Sequence, residues 1–437
     1  MKRILLILLS KALLTWSLLA QTNTVTTGRP LTLEEAYDRA LATDQSIQIA
    51  FEEIQKNDLL PWSALTRLGP RITGNGGYNK PEHNLANFTG PILVETWRGD
   101  ITVQQPLLDP TVLAAYRAGK LSAQAARLTR LYLARNVLFG VTRAYYDVLK
   151  KDRIVRVSRQ TLALAQQQLD LAQNRFRSGE VTKTDVLRAQ VTVERARRSL
   201  VTAENSLSLA QKTLSTMLNL PSPAGFIVID PPPYPTDTPA LDDLQQRAAA
   251  RREDLRVAGL TIDQSRQHER EVRAQYWPRL VGQWSKQWLD PETVSSPNDF
   301  WQAGLALQLP LFTGGQREVD LQRTRHETKQ TELSRESLLK SVELDVQDAW
   351  LNAQTLAQSL KALEVEVAAA EETLKNLQNQ YKAGSATSLD VQNALNDLNT
   401  SRTDQAVQIY DYQIALRNLE RASGVFQEER IKKLKDR

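Results

Sequence analysis

The sequence predicts a mainly α-helical protein with a membrane β-barrel part: a long coiled-coil α-barrel tunnel, continuous with a shared β-barrel, built from an internally duplicated chain that gives four strands per subunit. Three observations predict it. The segment NRFRSGEVTKTDVLRAQ from Asn174 returns as NQYKAGSATSLDVQNAL from Asn379, a spacing of 205, which marks a duplicated domain-sized unit rather than a short solenoid module. Each half holds a long stretch without proline, beyond Pro110 to Arg177 and from about Gly315 to Lys382. Each half also holds short segments in which apolar and polar residues alternate, with tryptophan near one end.

The chain opens on Lys2 and Arg3, followed by an apolar run from Ile4 to Ala20 that reads as a secretory signal over 1–20. An N-terminal membrane anchor is the alternative. No other stretch approaches the roughly 18–20 apolar residues of a spanning helix. There is no cysteine, which excludes disulfides and thiolate metal sites. Without Lys2, Arg3 and Lys11, 52 basic residues face 50 acidic ones. The pI of about 9.2 is thus no argument for nucleic acid.

The first repeat spans 21–220 and reads helix, strand, strand, long helix, turn, helix. Thr32 and Glu35 form a capping box that opens a helix expected to run to about Leu60. A glycine-rich segment from Arg71 has no helical period and reads as a strand, followed by a loop containing Pro81, Gly90 and Pro91. From Trp97 to Leu107 the alternation is clear. Trp97, Gly99, Ile101 and Val103 point one way; Arg98, Asp100, Thr102 and Gln104 point the other. The second repeat, 241–425, does the same with Leu280, Gly282, Trp284 and Trp288, and with Trp301, Ala303, Leu305, Leu307 and Leu309. Strands of about ten residues fit a tilted bilayer crossing with lipid outside and water within. An amphipathic sheet on a soluble core is the alternative.

At 1.5 Å per residue each long helix measures roughly 100 Å. Its late section carries a coiled-coil seam: Val155, Ser158, Leu162, Ala165, Leu169, Ala172 and Phe176, echoed by Leu360, Leu363, Val367, Ala370, Leu374, Leu377 and Tyr381. Gly179 and Gly384 suit the left-handed position that ends a helix. Asp185 and Asp390 fall in the first turn of the next helix, where the dipole favours a carboxylate. The returning helix alternates large and small residues, from Val186 and Ala189 to Leu214 and Met217. The Thr32 helix and the returning helix, end to end, equal the long one, so each half supplies one continuous and one two-piece strut. A proline-rich linker, 221–240, joins the halves outside the helical wall, and a charged tail, 426–437, closes the chain.

Four strands cannot close a barrel, and an open edge in lipid leaves backbone groups unpaired at several kcal/mol each. Subunits must pool strands. Two chains would give eight, filled by side chains; three would give twelve and a lumen, which the small inward residues favour.

These residues resemble the TolC family of outer-membrane efflux proteins. The resemblance rests on LTLEEAYDRAL near the start, on Pro70-Arg71 and Pro278-Arg279, on QQPLLD and QLPLFTGG, and on FRSGEVTKTDVLRAQ with YKAGSATSLDVQNAL. It implies a homotrimer with a twelve-strand barrel in the outer membrane and a twelve-helix tunnel through the periplasm. Such proteins are passive exit ducts of tripartite efflux or type I secretion systems. They dock to a periplasmic adaptor (membrane fusion) protein and an inner-membrane pump of the RND, MFS or ABC class. The turns Ser178, Gly179, Glu180 and Ala383, Gly384, Ser385 would be the docking tips. Tyr381 and Asp390 match residues that narrow the family's pore. Asp185 matches an aspartate that an arginine and a tyrosine of the second repeat tie down. Here Ala386 stands at that arginine's position and Asn393 at a second pore aspartate's. The closed-state network is then weaker, or rebuilt with Lys183 or Lys382. The alternative is that Asp185 and Asp390 only cap helices. The outer face of the barrel would carry Trp97, Ile101, Val103, Trp284, Trp301, Leu305 and Leu307, against outer-membrane lipid.

Enzyme chemistry finds no foothold. The histidines are His83, His268 and His326; Val272 and Gln330 stand where a zinc helix would need its second histidine. No phosphate loop is present, and no cofactor is expected. A periplasmic coiled-coil scaffold or adaptor without a pore is the competing reading.

Overall fold

The computed structural model describes residues 30–80, 95–220, 226–232, 239–290 and 298–435. The expected signal segment, the loop with Pro81, Gly90 and Pro91, His83 and most of the proline-rich linker lie outside them.

Thr32 opens the first helix as its residues dictate: Glu35 N–H donates to the Thr32 hydroxyl at 3.2 Å and Thr32 N–H to the Glu35 carboxylate at 3.4 Å. The helix expected to reach Leu60 is, however, cut into α1 (Leu33–Thr43), α2 (Gln45–Asp58) and α3 (Leu60–Thr66). Asp44 takes an extended ψ of 126° and caps α2, accepting from Ser46 and Ile47 N–H at 2.8 and 3.2 Å. Pro61 sits in the first turn of α3, where its missing N–H costs nothing. The other repeat breaks 208 residues later, between α6 (Leu241–Arg251) and α7 (Glu253–Ala274), at Arg252 with the same ψ of 126°.

The long helices are α4 (Thr111–Arg177) and α8 (Gln316–Lys382), each of 67 residues. The returning helices are α5 (Lys183–Met217) and α9 (Ser388–Ala422), each of 35. The 205-residue spacing thus holds to the residue. Gly119 of α4 is required by packing: a Cβ there would lie 2.7 Å from the Pro61 nitrogen.

Packing divides the chain into two compact units, one from Met1–Ala42, Val141–Pro233 and Leu363–Tyr410, the other from Thr43–Gly140, Tyr234–Ala362 and Asp411–Arg437. Each unit draws on both repeats. In the first, the expected seams form one core of Ala165, Val193, Leu374, Val391 and Leu398 among others. Phe176 departs from expectation: it is exposed, although its counterpart Tyr381, one residue from the end of the other long helix, is buried. The linker is more than a spacer. Its described part supplies β4 (Ile227–Val228), paired in parallel with β1 (Pro30–Leu31). The Tyr145 hydroxyl, shared between the carbonyls of Leu31 at 2.9 Å and Ile229 at 2.6 Å, ties both strands to α4. Burial pushes that hydroxyl's pKa up.

The second unit holds two helical cores, one of Leu244, Val342, Val346 and Leu419, the other of Ala353, Tyr412 and Leu416. The charged tail starts differently from the expectation. Phe426 is fully buried, and Glu428–Lys435 forms α10, with Ile431 buried and Glu428 2.8 Å from Arg251.

The same unit carries one antiparallel sheet of order β2-β3-β5-β6: Arg71–Asn79, Thr96–Leu108, Arg279–Asp290 and Asp299–Gln308. β3 pairs with β5 across the repeats, so the halves share one sheet and β2 and β6 are its edges.

Candidate functional site

The tip turns follow directly from glycine stereochemistry. Gly179 and Gly384 adopt φ of 76° and 81°. At each, the following N–H returns to the carbonyl five residues back (Glu180 to Arg175, Ser385 to Gln380) and the glycine N–H to the carbonyl three back. This is the helix-ending arrangement that only glycine enters without strain. A Cβ at Gly384 would meet its nearest atom, on Arg175, only at 3.8 Å. Gly384→Ala therefore strains backbone alone, and we expect a loss of about 1–2 kcal/mol, read as a lower denaturation midpoint of the purified protein.

Beyond each turn the helix restarts on a reciprocal cap. The Asp185 carboxylate accepts from Thr182 N–H and hydroxyl at 3.1 and 2.8 Å, and Asp390 accepts from Thr387 at 2.9 and 2.6 Å. Both aspartates therefore cap helices. The Thr387 hydroxyl and then its N–H hold the Asp390 carboxyl below the usual carboxylate range, so its negative charge is secure at neutral pH. Asp390 and Asn393 are exposed. So are Ser178, Gly179, Glu180, Ala383, Gly384 and Ser385.

Tyr381 is placed differently. It is only 2% exposed and lies in the core of the first unit rather than on its surface. Its hydroxyl, raised in pKa chiefly by burial, has no hydrogen-bond partner among the described residues. The cation that lies against Tyr381 is Arg175. Its guanidinium lies 4.7 Å from the Tyr381 ring centroid, donates to the Tyr381 carbonyl, and holds Glu180 at 2.9 Å. Ala386 is half-buried beside the same core. Sequence reading missed Arg175 because the repeat has Gln380 at its place; its position five residues before Glu180 across the turn was the available signal.

The sheet bears out the expected alternation. In register, Ile72 faces Val103, Val103 faces Trp284 and Trp284 faces Ala303, while Tyr78 faces Trp97. One face therefore gathers Ile72, Ile101, Val103, Trp284, Leu305 and Leu307, with Tyr78, Trp97, Trp288 and Trp301 toward one end. The other gathers Thr73, Asn75, Thr102, Gln104, Gln283, Gln287, Gln302 and Gln308. Trp301, Leu305 and Leu307 are 67, 73 and 68% exposed, an arrangement no water-soluble sheet favours. Trp97 is exposed as well, while Val103 is half-buried. A cation went unnoticed on this face. Lys286, opposite Ile101 and Trp301, reaches Asp299 at 3.1 Å and lies 5.5 Å from the Trp288 ring. Its stem thus brings the charge to Asp299, which pairs across the strands with Trp288.

No helix among the described residues is long and apolar enough to cross a membrane, and no cluster of three or more His, Cys, Asp or Glu there could hold a metal.

Known proteins agree with this geometry. The family model described as outer membrane efflux protein matches residues 36–220 and 244–425, one stretch per repeat. Alkaline protease secretion protein AprF of Pseudomonas aeruginosa is 22% identical over 91% of this chain and 85% of its own length. Outer membrane protein TolC of Escherichia coli is 24% identical over 98% and 88%. The crystal structure of the Campylobacter jejuni CmeC outer membrane channel superposes with a TM-score of 0.77 over 92% of this chain and 89% of that one, at 14% identity. With both repeats matched and the channel fold reproduced, the chain belongs to the outer membrane efflux protein family, whose members are passive conduits and not enzymes.

Proposed function

We propose that three copies of this chain form the exit duct of a tripartite efflux or type I secretion system. Their sheets join edge to edge into a twelve-strand barrel in the outer membrane, and their helices continue it through the periplasm. The observation that carries this reading is the four-stranded sheet, with one exposed apolar face and two edges, β2 and β6. In lipid such edges must find partners, and identical copies supply them: β6 of one protomer against β2 of the next. The exposed turns at Gly179 and Gly384 are where a periplasmic adaptor docks, bringing an RND, MFS or ABC pump that supplies the energy.

The constriction lies at the same tips. Asp390 and Asn393 offer one full charge and one neutral acceptor to the lumen. Tyr381 and Asp185 act from behind, Tyr381 by holding Arg175 and Asp185 by fixing the start of α5. The test is single-channel recording of the purified protein in planar bilayers. We expect Asp390→Ala to weaken both cation selectivity and block by multivalent cations, and Asn393→Asp to strengthen both. A mature protein that stays soluble without detergent and conducts nothing would favour the pore-free scaffold instead.

A further inference from the structure

The second unit contains an open cavity of about 1190 Å³ lined by α2, α4, α7, α8 and Leu434 of α10. Its charge is one-sided. Five arginines line it against two aspartates, and both aspartates are already engaged: Asp58 with Arg127 at 2.8 Å and Asp263 with Arg266 at 3.3 Å. Arg256 and Arg335 are exposed and make no ion pair among the described residues. Arg130 places its guanidinium 5.3 Å from the Phe51 ring centroid, and its Nε is buried without a hydrogen-bond partner there. Beneath these groups lies an apolar floor of Ile54, Leu131 and Ile262, all buried.

Two requirements follow. Guanidinium groups without counter-ions favour a carboxylate, sulfonate or phosphate, which their planar donors grip in pairs. The apolar floor and the Phe51 ring favour a hydrophobic body of aromatic or alicyclic kind. A small inorganic anion would leave the floor wet, and a cation of any shape would meet repulsion. We propose that this cavity binds organic anions with a rigid apolar body. The site stands whether or not the chain conducts, since binding and conductance are read separately.

Gly259 of α7 supplies the test. It lines the cavity, has an ordinary helical backbone, and a Cβ there would meet nothing within 4 Å. Gly259→Leu thus fills the cavity from its wall without straining the helix. Titration calorimetry on the full-length protein in non-ionic detergent would compare naphthalene-2-sulfonate with a naphthyl trimethylammonium cation. We expect saturable binding of the sulfonate only. Affinity should fall at least about ten-fold in Arg256→Ala/Arg335→Ala and be lost in Gly259→Leu. Equal binding of both probes, binding that survives Gly259→Leu, or no sulfonate binding would each overturn the proposal.

Discussion

Arg135→Met is expected to destabilise the second unit by about 3–5 kcal/mol, because it leaves a buried carboxylate without its partner. Arg135 and Glu253 have side chains 5% and 7% exposed. They meet as a fork, Nη2 to Oε1 at 2.6 Å and Nε to Oε2 at 3.2 Å, while the other terminal nitrogen donates to the Phe426 carbonyl. One guanidinium therefore binds α4, the start of α7 and the entry to α10 together. Glu253 opens α7, and the positive end of the helix dipole remains after the substitution. That effect is worth about 0.3–1 kcal/mol, up to ~2 in buried geometry, too little to replace the arginine. The measurement is the urea midpoint of the detergent-solubilised protein. Arg135→Met/Glu253→Leu should recover most of the loss, since the pair's attraction mainly offsets its own desolvation. A single variant as stable as the parent would mean that Glu253 finds water or another cation.

The second large effect concerns the exposed apolar face of the sheet. Leu305 lies within β6, opposite Gly282, and is 73% exposed. Leu305→Arg should cost about 2–4 kcal/mol if it sits near the bilayer midplane. Gln302, on the other face of the same strand, should accept arginine with little change. The measurement is urea-dependent folding into phospholipid vesicles. Arginine tolerated equally at both positions would remove lipid from the Leu305 face and leave the shared barrel without its physical cause. The contrast within one strand matters more than either value, because β-propensity and register are common to both variants.

Much of this molecule is written locally. Gly179 and Gly384 mark their turns because only glycine adopts that backbone freely, and Thr182 with Asp185 marks the restart three residues on. The faces of β3, β5 and β6 could be assigned because side-chain period in a strand is two, whatever the partner. The break at Asp44 escaped the reading. Its neighbours keep a helical pattern, and the local competition, a carboxylate capping Ser46 and Ile47, is visible only once the backbone turns. The charged composition of the last residues likewise concealed α10, whose apolar anchors are few: Ile431 and Leu434 within it and Phe426 just before it.

By itself the sequence determined the duplication, the long helices and the helices that return from them, the turns between them and the alternating apolar face of the sheet; all of these rest on spacing along the chain. Tertiary structure alone decided which charge meets which. Arg175 under Tyr381 spans 206 residues and Arg135 with Glu253 spans 118, while the arginines of the cavity come from three separate helices. Periodicity records which face of an element is apolar, but an ion pair or a cavity depends on the angle and height at which two elements pack, and no residue carries that information singly.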